Sequence, residues 1–380
     1  MVLLGMPLCI VFFGGAVRGQ SISELNSHYS GQTEWDAASG VFTFTSSGTI
    51  DFALPEERDG IWFVPAEVQR IVINENVRVT GQFTVRSTMT VEGRDRYTSE
   101  MFGTPVRALL HDQGLDSKYG CWTYSTVYGE GNIDVYLKDF TCLNPVGFMF
   151  TGKQGARMHL DGVRGIDDRG GGSNHSDGVS AASGTTVRNC YFETGDDCIK
   201  VYANITVEDT TIKMVQNCVP IQLGWGSYGN NAEGTFENLT VTGTSGRGTS
   251  KGVIVATAGT YAKRITIDGC HVVNPNASLV ILNEAGESLD LTIREAHIAV
   301  QRFAYALNGP LVSSICGTSE QRNVYDCRTA GLADLARVAG AWLAQDCHGA
   351  DWCGGGDVDR DGRVDWRDVT TLGLGWLGGE

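Results

Sequence analysis

Positive charge is scarce in this sequence: 29 Lys and Arg stand against 44 Asp and Glu, for a formal net charge of -15. That balance excludes nucleic acid as a natural partner, because phosphate backbones are held by clustered cations. It also makes a strongly anionic polymer a poor substrate unless a basic cleft is built locally. Long apolar runs are lacking as well. None approaches the ~20 residues needed to span a bilayer, so no membrane span is expected. The opening MVLLGMPLCIVFFGGAVRGQS instead has the short apolar core and small residues of a signal peptide, although Lys and Arg are absent before Arg18. Residues 1–19 therefore read as a leader and the rest as a secreted chain. Proline is rare, at 8, whereas glycine numbers 50 and Val, Thr and Ile recur. Such a composition favours strands and turns over long helices. With 42% hydrophobic residues there is enough to build a core, which excludes global disorder.

From about residue 60 one pattern repeats: a short β-branched run, a polar or Gly/Asn turn, then another run. IVINENVRVTG, FTVRSTMTVEG, IDVYLKDFTCLN, GTFENLTVTG and KRITIDGCHVVN are clear cases. Equivalent positions read at Met158, Val187, Val207, Phe236, Ile265 and Leu291 recur at nearly even intervals, the shortest from Val187 to Val207. Several short strands per unit of that length predict a solenoid, a right-handed parallel β-helix over residues 20–326. A β-sandwich would also give short strands, but not so readily the recurring V-x-N/D-x-x-F/V/I that stacks apolar side chains from coil to coil. Eleven cysteines are present, ten without the leader. In an exported chain they either pair or sit as single thiols inside the coils, and Cys190, Cys218 and Cys270 fit both descriptions.

The chemistry is concentrated in NHSDG…GDDCIKVY. Hydrolysis of a glycosidic bond needs one carboxylic acid to protonate the departing oxygen and a carboxylate to activate water or attack. Asp177 lies in a Gly-rich turn, and Asp196 and Asp197 follow after an interval close to one short coil. Neighbouring coils are ~4.8 Å apart, so the three carboxyls can share a face, and crowding like charges raises at least one pKa. These three are the predicted catalytic residues. His175, Lys200 and Tyr202 flank them, and NCVPIQLGWGSYG, one coil later, supplies Gln222 and Trp225. An indole stacks well on the apolar face of a sugar, so these five are the predicted substrate-binding residues. Asp and Gly are common in solenoid turns, and it is the neighbourhood rather than GDD alone that marks a site.

The run from Asn174 to Gly226 resembles glycoside hydrolase family 49, the dextranase and isopullulanase family, in which one Asp precedes an Asp-Asp pair with an Ile-Lys-like continuation and a downstream Pro-x-x-Gln/Glu-x-Gly-Trp stretch. The resemblance implies a parallel β-helix, an inverting mechanism with no catalytic cofactor, Asp196 as general acid, and Asp177 and Asp197 holding and deprotonating water. It implies the reaction class more firmly than the substrate, for which a dextran-like α-glucan and a plant or algal polysaccharide both stand. A polysaccharide lyase on the same scaffold, with Lys200 as base, and a non-catalytic carbohydrate-binding or adhesion β-helix are the competing readings.

Composition changes near Cys327. GLADLARVAGAWLAQ has helical apolar spacing, and a Cys, Gly and Asp-rich turn follows. Asp357, Asp359, Asp361, Arg363, Asp365 and Asp368 then occupy ligand positions of an EF-hand-like loop, with Gly362 at the sharp turn and Arg363 offering its carbonyl. Residues 327–380 thus read as a small α-helical module holding structural Ca2+. The module resembles dockerin type I, which implies a cohesin-like partner; the first of the two expected loops lacks its acidic ladder. Cys347 and Cys353 flank a tight turn and are placed for a local disulfide.

Overall fold

The structure is a computed structural model that describes residues 20–52, 60–103, 121–169, 176–215, 217–225, 231–244, 252–316, 324–326 and 364–365. Successive coils stack so that each strand pairs in parallel with the strand one coil before and one coil after, giving three continuous ladders, as expected for a parallel β-helix. The first ladder runs through Arg70–Ile73, Met89–Gly93, Asp134–Lys138, Arg157–Asp161, Thr185–Arg188 and Ile205–Glu208 into the long strands Ala232–Gly243, Ala262–Leu282 and Ser288–Leu307. Glu100–Phe102, Thr141–Leu143, Arg164–Ile166, Tyr191–Glu193 and Thr211–Met214 belong to the second. The third holds Val127–Glu130, Phe150–Lys153, Val179–Ser180, Ile199–Lys200, Ile221–Gly224 and Gly252–Ala256.

Alternation sends every second residue inward. Val91, Leu137, Leu160, Val187, Val207, Phe236, Ile267, Ile293 and Ile315 stack in one register column, and all are buried. This column corrects the sequence alignment at two points: Val187 pairs with Leu160, not Met158, and Phe236 with Ile267, not Ile265. A slip of two residues keeps the inward parity, so hydrophobic pattern alone does not detect it.

The corner between the first and second ladders explains the recurring Asn or Asp. Asp139, Gly162, Asn189, Asp209, Asn238, Gly269 and Glu295 occupy equivalent places on seven coils, and all have positive φ, between 45° and 75°. The left-handed region is open to glycine and tolerated by Asn and Asp. Asn189 and Asn238 also donate to the carboxylates of Asp161 and Asp209 on the preceding coil, at 2.9 and 3.0 Å. The step across this corner is the same on every one of those coils, from Lys138 to Thr141 at one end of the series and from Arg294 to His297 at the other.

At the N-terminal end the helix Ile22–His28, closed by a Ser21/Glu24 capping box, lays Leu25 into the core, and Thr33–Asp36 pairs antiparallel to Val41–Phe44. Cys142, Cys190, Cys198, Cys218 and Cys270 are buried free thiols, while Cys316 is disulfide-bonded. Burial pushes the Cys190 and Cys218 thiols up to about 12. No described helix is long and apolar enough to cross a membrane.

Candidate active site

A short coil carries the predicted site. Val179 pairs with Ile199 and Val187 with Val207, so the two turns that bear the acids are carried by directly adjacent coils. Just before the first of these pairs, the same ladder brings Asp177 beside Asp197: the Gly178 amide donates to the Asp197 carbonyl at 2.9 Å, and the Met149 amide to the Asp177 carbonyl at 2.7 Å. A side chain at position 178 would strike the Cys198 carbonyl, so the glycine is required for the coils to approach this closely. Ser176, fully buried, ties the two turns together, and the equally buried Thr194 braces the second. The Ser176 hydroxyl accepts from the Gly195 amide at 2.8 Å, and the Thr194 hydroxyl donates to the Asp196 carbonyl at 2.6 Å.

One carboxylate oxygen from each of Asp177, Asp196 and Asp197 lies within 4.8 Å of the others. Lys200 enters the same cluster. Its neighbour Ile199 points into the core, so by alternation Lys200 points away from it, and its Nζ reaches Asp177 Oδ1 at 2.5 Å and Asp197 Oδ2 at 2.9 Å. The ammonium also lies 4.9 Å from the Phe148 ring centre and 5.5 Å from that of Tyr202. The residues fit a cation, and the Lys200 ammonium already supplies a positive charge between two of the three acids.

Burial sets the electrostatics. It lifts Asp177 well above the ordinary carboxylate range; Lys200 pulls it down, and the charges of Asp196 and Asp197 lift it further. Asp197 is raised for the same first reason, against the pull of Lys200 and a hydrogen bond from the Gln222 side chain. For Lys200 burial opposes the charge, but Asp177 and Asp197 outweigh it and hold the ammonium well above 10.5. An ion pair ordinarily lowers a carboxyl pKa. Here one ammonium cannot balance two buried carboxyls beside a third, so the pair binds a proton more tightly than ordinary carboxylates do, which suits a proton acceptor, while the lysine stays charged. Tyr202 is held protonated by burial.

Of the predicted substrate residues, Lys200 lies inside the carboxylate cluster rather than on an open surface. Gln222 is buried, in register with Lys200, and its Oε1 accepts from the Gly224 amide at 3.1 Å. Tyr202 covers the lysine. Trp225 is 52% exposed immediately after that strand. His175 lies outside the described residues, as does the calcium-type loop apart from residues 364–365. Sequence reasoning missed Asn217, whose Nδ2 donates to Asp196 Oδ1 at 2.9 Å, and Phe148. Counting one coil forward from Asp196 would have found the asparagine; nothing local marks the phenylalanine.

No protein-family model matches the chain, and no curated protein matches it. Among solved structures it is similar to Dex49A from Penicillium minioluteum, at 14% identity and a TM-score of 0.47, over 74% of this chain and 55% of that one. The chain thus spans about half the length of that structure.

Proposed function

We propose that the chain is an exported glycoside hydrolase that cleaves a polysaccharide with inversion, Asp196 protonating the departing oxygen while Asp177 and Asp197 hold and deprotonate the attacking water. The observation that carries this reading is the buried pair Asp177 and Asp197 clamping one ammonium, with a third, partly exposed carboxyl beside it. Making an acid and a base from one residue type requires unlike surroundings. Asp177 and Asp197 share a buried site and a lysine, whereas Asp196 is partly exposed and accepts hydrogen bonds from Asn217 and the Asp197 amide. Trp225 supplies an apolar ring face of the kind sugars stack on.

The anomeric proton spectrum of the first product tests the stereochemistry. Inversion is expected; retention would replace the single displacement by a double one with a carboxylate nucleophile. One oxygen of each carboxyl lies within 4.8 Å of the others, and carboxyls of retaining enzymes stand ~5–5.5 Å apart against ~6.5–9.5 Å in inverting ones, so retention is the second reading. A lyase is less supported, because a lysine held well above 10.5 is a poor proton acceptor. An unsaturated, ultraviolet-absorbing product would establish it instead. A non-catalytic role would follow if wild type released no reducing ends from any glycan offered, and equal release by Asp197→Asn would remove that carboxyl from the chemistry.

Dextran-like α-glucan and plant or algal polysaccharides are the proposed substrates, to be separated by a reducing-end screen of neutral and sulfated polymers. The reading extends to secretion, to Ca2+ in the loop 357–368, and to a cohesin-like partner for residues 327–380. A mature N-terminus near Gln20 checks the first. Calorimetric Ca2+ titration, lost in Asp357→Ala, checks the second. Co-elution with a cohesin checks the third.

A further inference from the structure

Lys263 breaks the pattern of its own strand. In Ala262–Leu282 it has the inward parity of Ile265 and Ile267, and it is in register with Ala232 on one side and Leu289 on the other. A lysine is thus built into the coil interior, 4% exposed. Its Nζ passes the intervening coil and donates to the main-chain carbonyl of Val201 at 2.8 Å. The intervening coil is small where this happens: Ala232 lies in register, and a side chain at Gly234 would come within 2.9 Å of Ile265 and 3.4 Å of Val201. Val201 stands between Lys200 and Tyr202. Its amide donates to the Gln222 carbonyl at 2.8 Å, so Lys263 fixes the carbonyl of the same residue from within the stack.

The charge is answered locally. Glu287 is 2% exposed and faces Lys263, and neither of its carboxylate oxygens has a hydrogen-bond partner among the described residues. Tyr261 lies over the ammonium, 5.4 Å from ring centre to Nζ, and Glu284 acts on Glu287. Burying such a pair is costly and is weak evidence of stabilisation, so its position behind Lys200 calls for another reason.

We propose that Lys263 is a positioning residue for the carboxylate site: its hydrogen bond to Val201 sets where Lys200 stands between Asp177 and Asp197. The inference rests on the hydrolase reading for its kinetic consequence, but not for its geometric one. A catalytic constellation tolerates little displacement, on the order of 0.5 Å, and a lysine that must touch two carboxyls at once depends on the main chain that carries it.

The test compares wild type with Lys263→Met, which keeps the length and removes the donor, and with Ile265→Ala, which damages the same core without touching the link. Ala232→Val, which fills the passage, serves if Lys263→Met does not fold. Two measurements are made: kcat and KM on a cleaved glycan, and 13C titration of the Asp177 and Asp197 carboxyls. Lys263→Met is expected to lower kcat at least tenfold with KM within twofold, and to move the carboxyl midpoints by half a pH unit or more. Ile265→Ala is expected to lose a comparable Tm and change neither. Unchanged midpoints in Lys263→Met, with or without a fall in kcat, would overturn the proposal. If wild type cleaves no glycan, the hydrolase reading falls while the carboxyl titrations still decide the positioning role.

Discussion

Asp177 stands directly beside Asp197 across two adjacent coils, and the ammonium of Lys200 touches both, at 2.5 and 2.9 Å. The sequence pairs Asp196 with Asp197; the fold pairs Asp197 with a residue one coil earlier and leaves Asp196 on the more open side. Roles that look interchangeable in GDD are thereby separated by environment.

Removing the lysine tests this relationship. Lys200→Met leaves two buried carboxyls facing each other without a counter-charge, and breaking a buried ionic cluster costs about 3–5 kcal/mol. The carboxyls should escape by protonating, and loss of a preorganised charge should lower kcat on the order of 100-fold. Urea unfolding and steady-state kinetics read both effects. A variant with kcat within threefold of wild type would show that the clamp has no part in turnover.

Trp225→Ala should act on binding alone. The ring is exposed one coil after Lys200 and supports no core cluster, so Tm should stay within a degree of wild type. Loss of about 1 kcal/mol of stacking corresponds to a rise in KM of about fivefold with kcat unchanged. An unchanged KM on oligosaccharides of every length would place the sugar elsewhere.

Stability should pass through a trough between pH 7 and 8, set by the interior pair. Burial raises Glu287 from 4.5 to about 7, so the folded state binds the extra proton, and the stability this gives is present below 4.5 and lost as pH rises to 7. Burial lowers Lys263 from 10.5 to about 8, so stability is regained as pH rises from 8 to 10.5. Each limb is worth up to about 3 kcal/mol. Chemical denaturation across this range should show the acid-side limb flattened in Glu287→Gln and the alkaline limb flattened in Lys263→Met.

Glu295 is the one long side chain in the left-handed corner column, with φ 45° where its equivalents are Asp, Asn or Gly. Glu295→Gly should therefore stabilise the protein by about 1 kcal/mol, and Asn189→Ala should destabilise it by about 1–2 kcal/mol. Thermal melts of the two variants, moving in opposite directions, check the corner.

The solenoid was legible because its rule is local: inward apolar parity recurs from coil to coil, and an Asn, Asp or Gly stands at the corner on six of the seven coils from Asp139 to Glu295. Register was less so. Met158 and Leu160, or Ile265 and Ile267, satisfy the same parity, and only hydrogen bonding between coils chooses between them. The trio was legible for a related reason, since a single short coil separates Asp177 from the Asp196–Asp197 pair and sets either member of the pair close to it. Lys200 was found as a neighbour but not as a clamp, because the sequence does not say which way a long side chain turns. Lys263 and Glu287 were illegible. They lie several coils beyond Asp197, and only the stacking of those coils brings their strands behind the site.

The constant corner has a consequence for how such a molecule can change. Coil length varies, being short between Val187 and Val207 and longest between Val91 and Leu137, yet from Asp139 to Glu295 none of that variation is spent at the left-handed corner. Over those coils this edge behaves as a spine with fixed vertebrae and the other two absorb every insertion; one coil earlier the same corner is longer, running from Glu92 to Glu100. Asp177 and Asp197 sit along those variable edges, so the turns around the carboxylates are free to lengthen, shorten or acquire new side chains without disturbing the alignment of the stack.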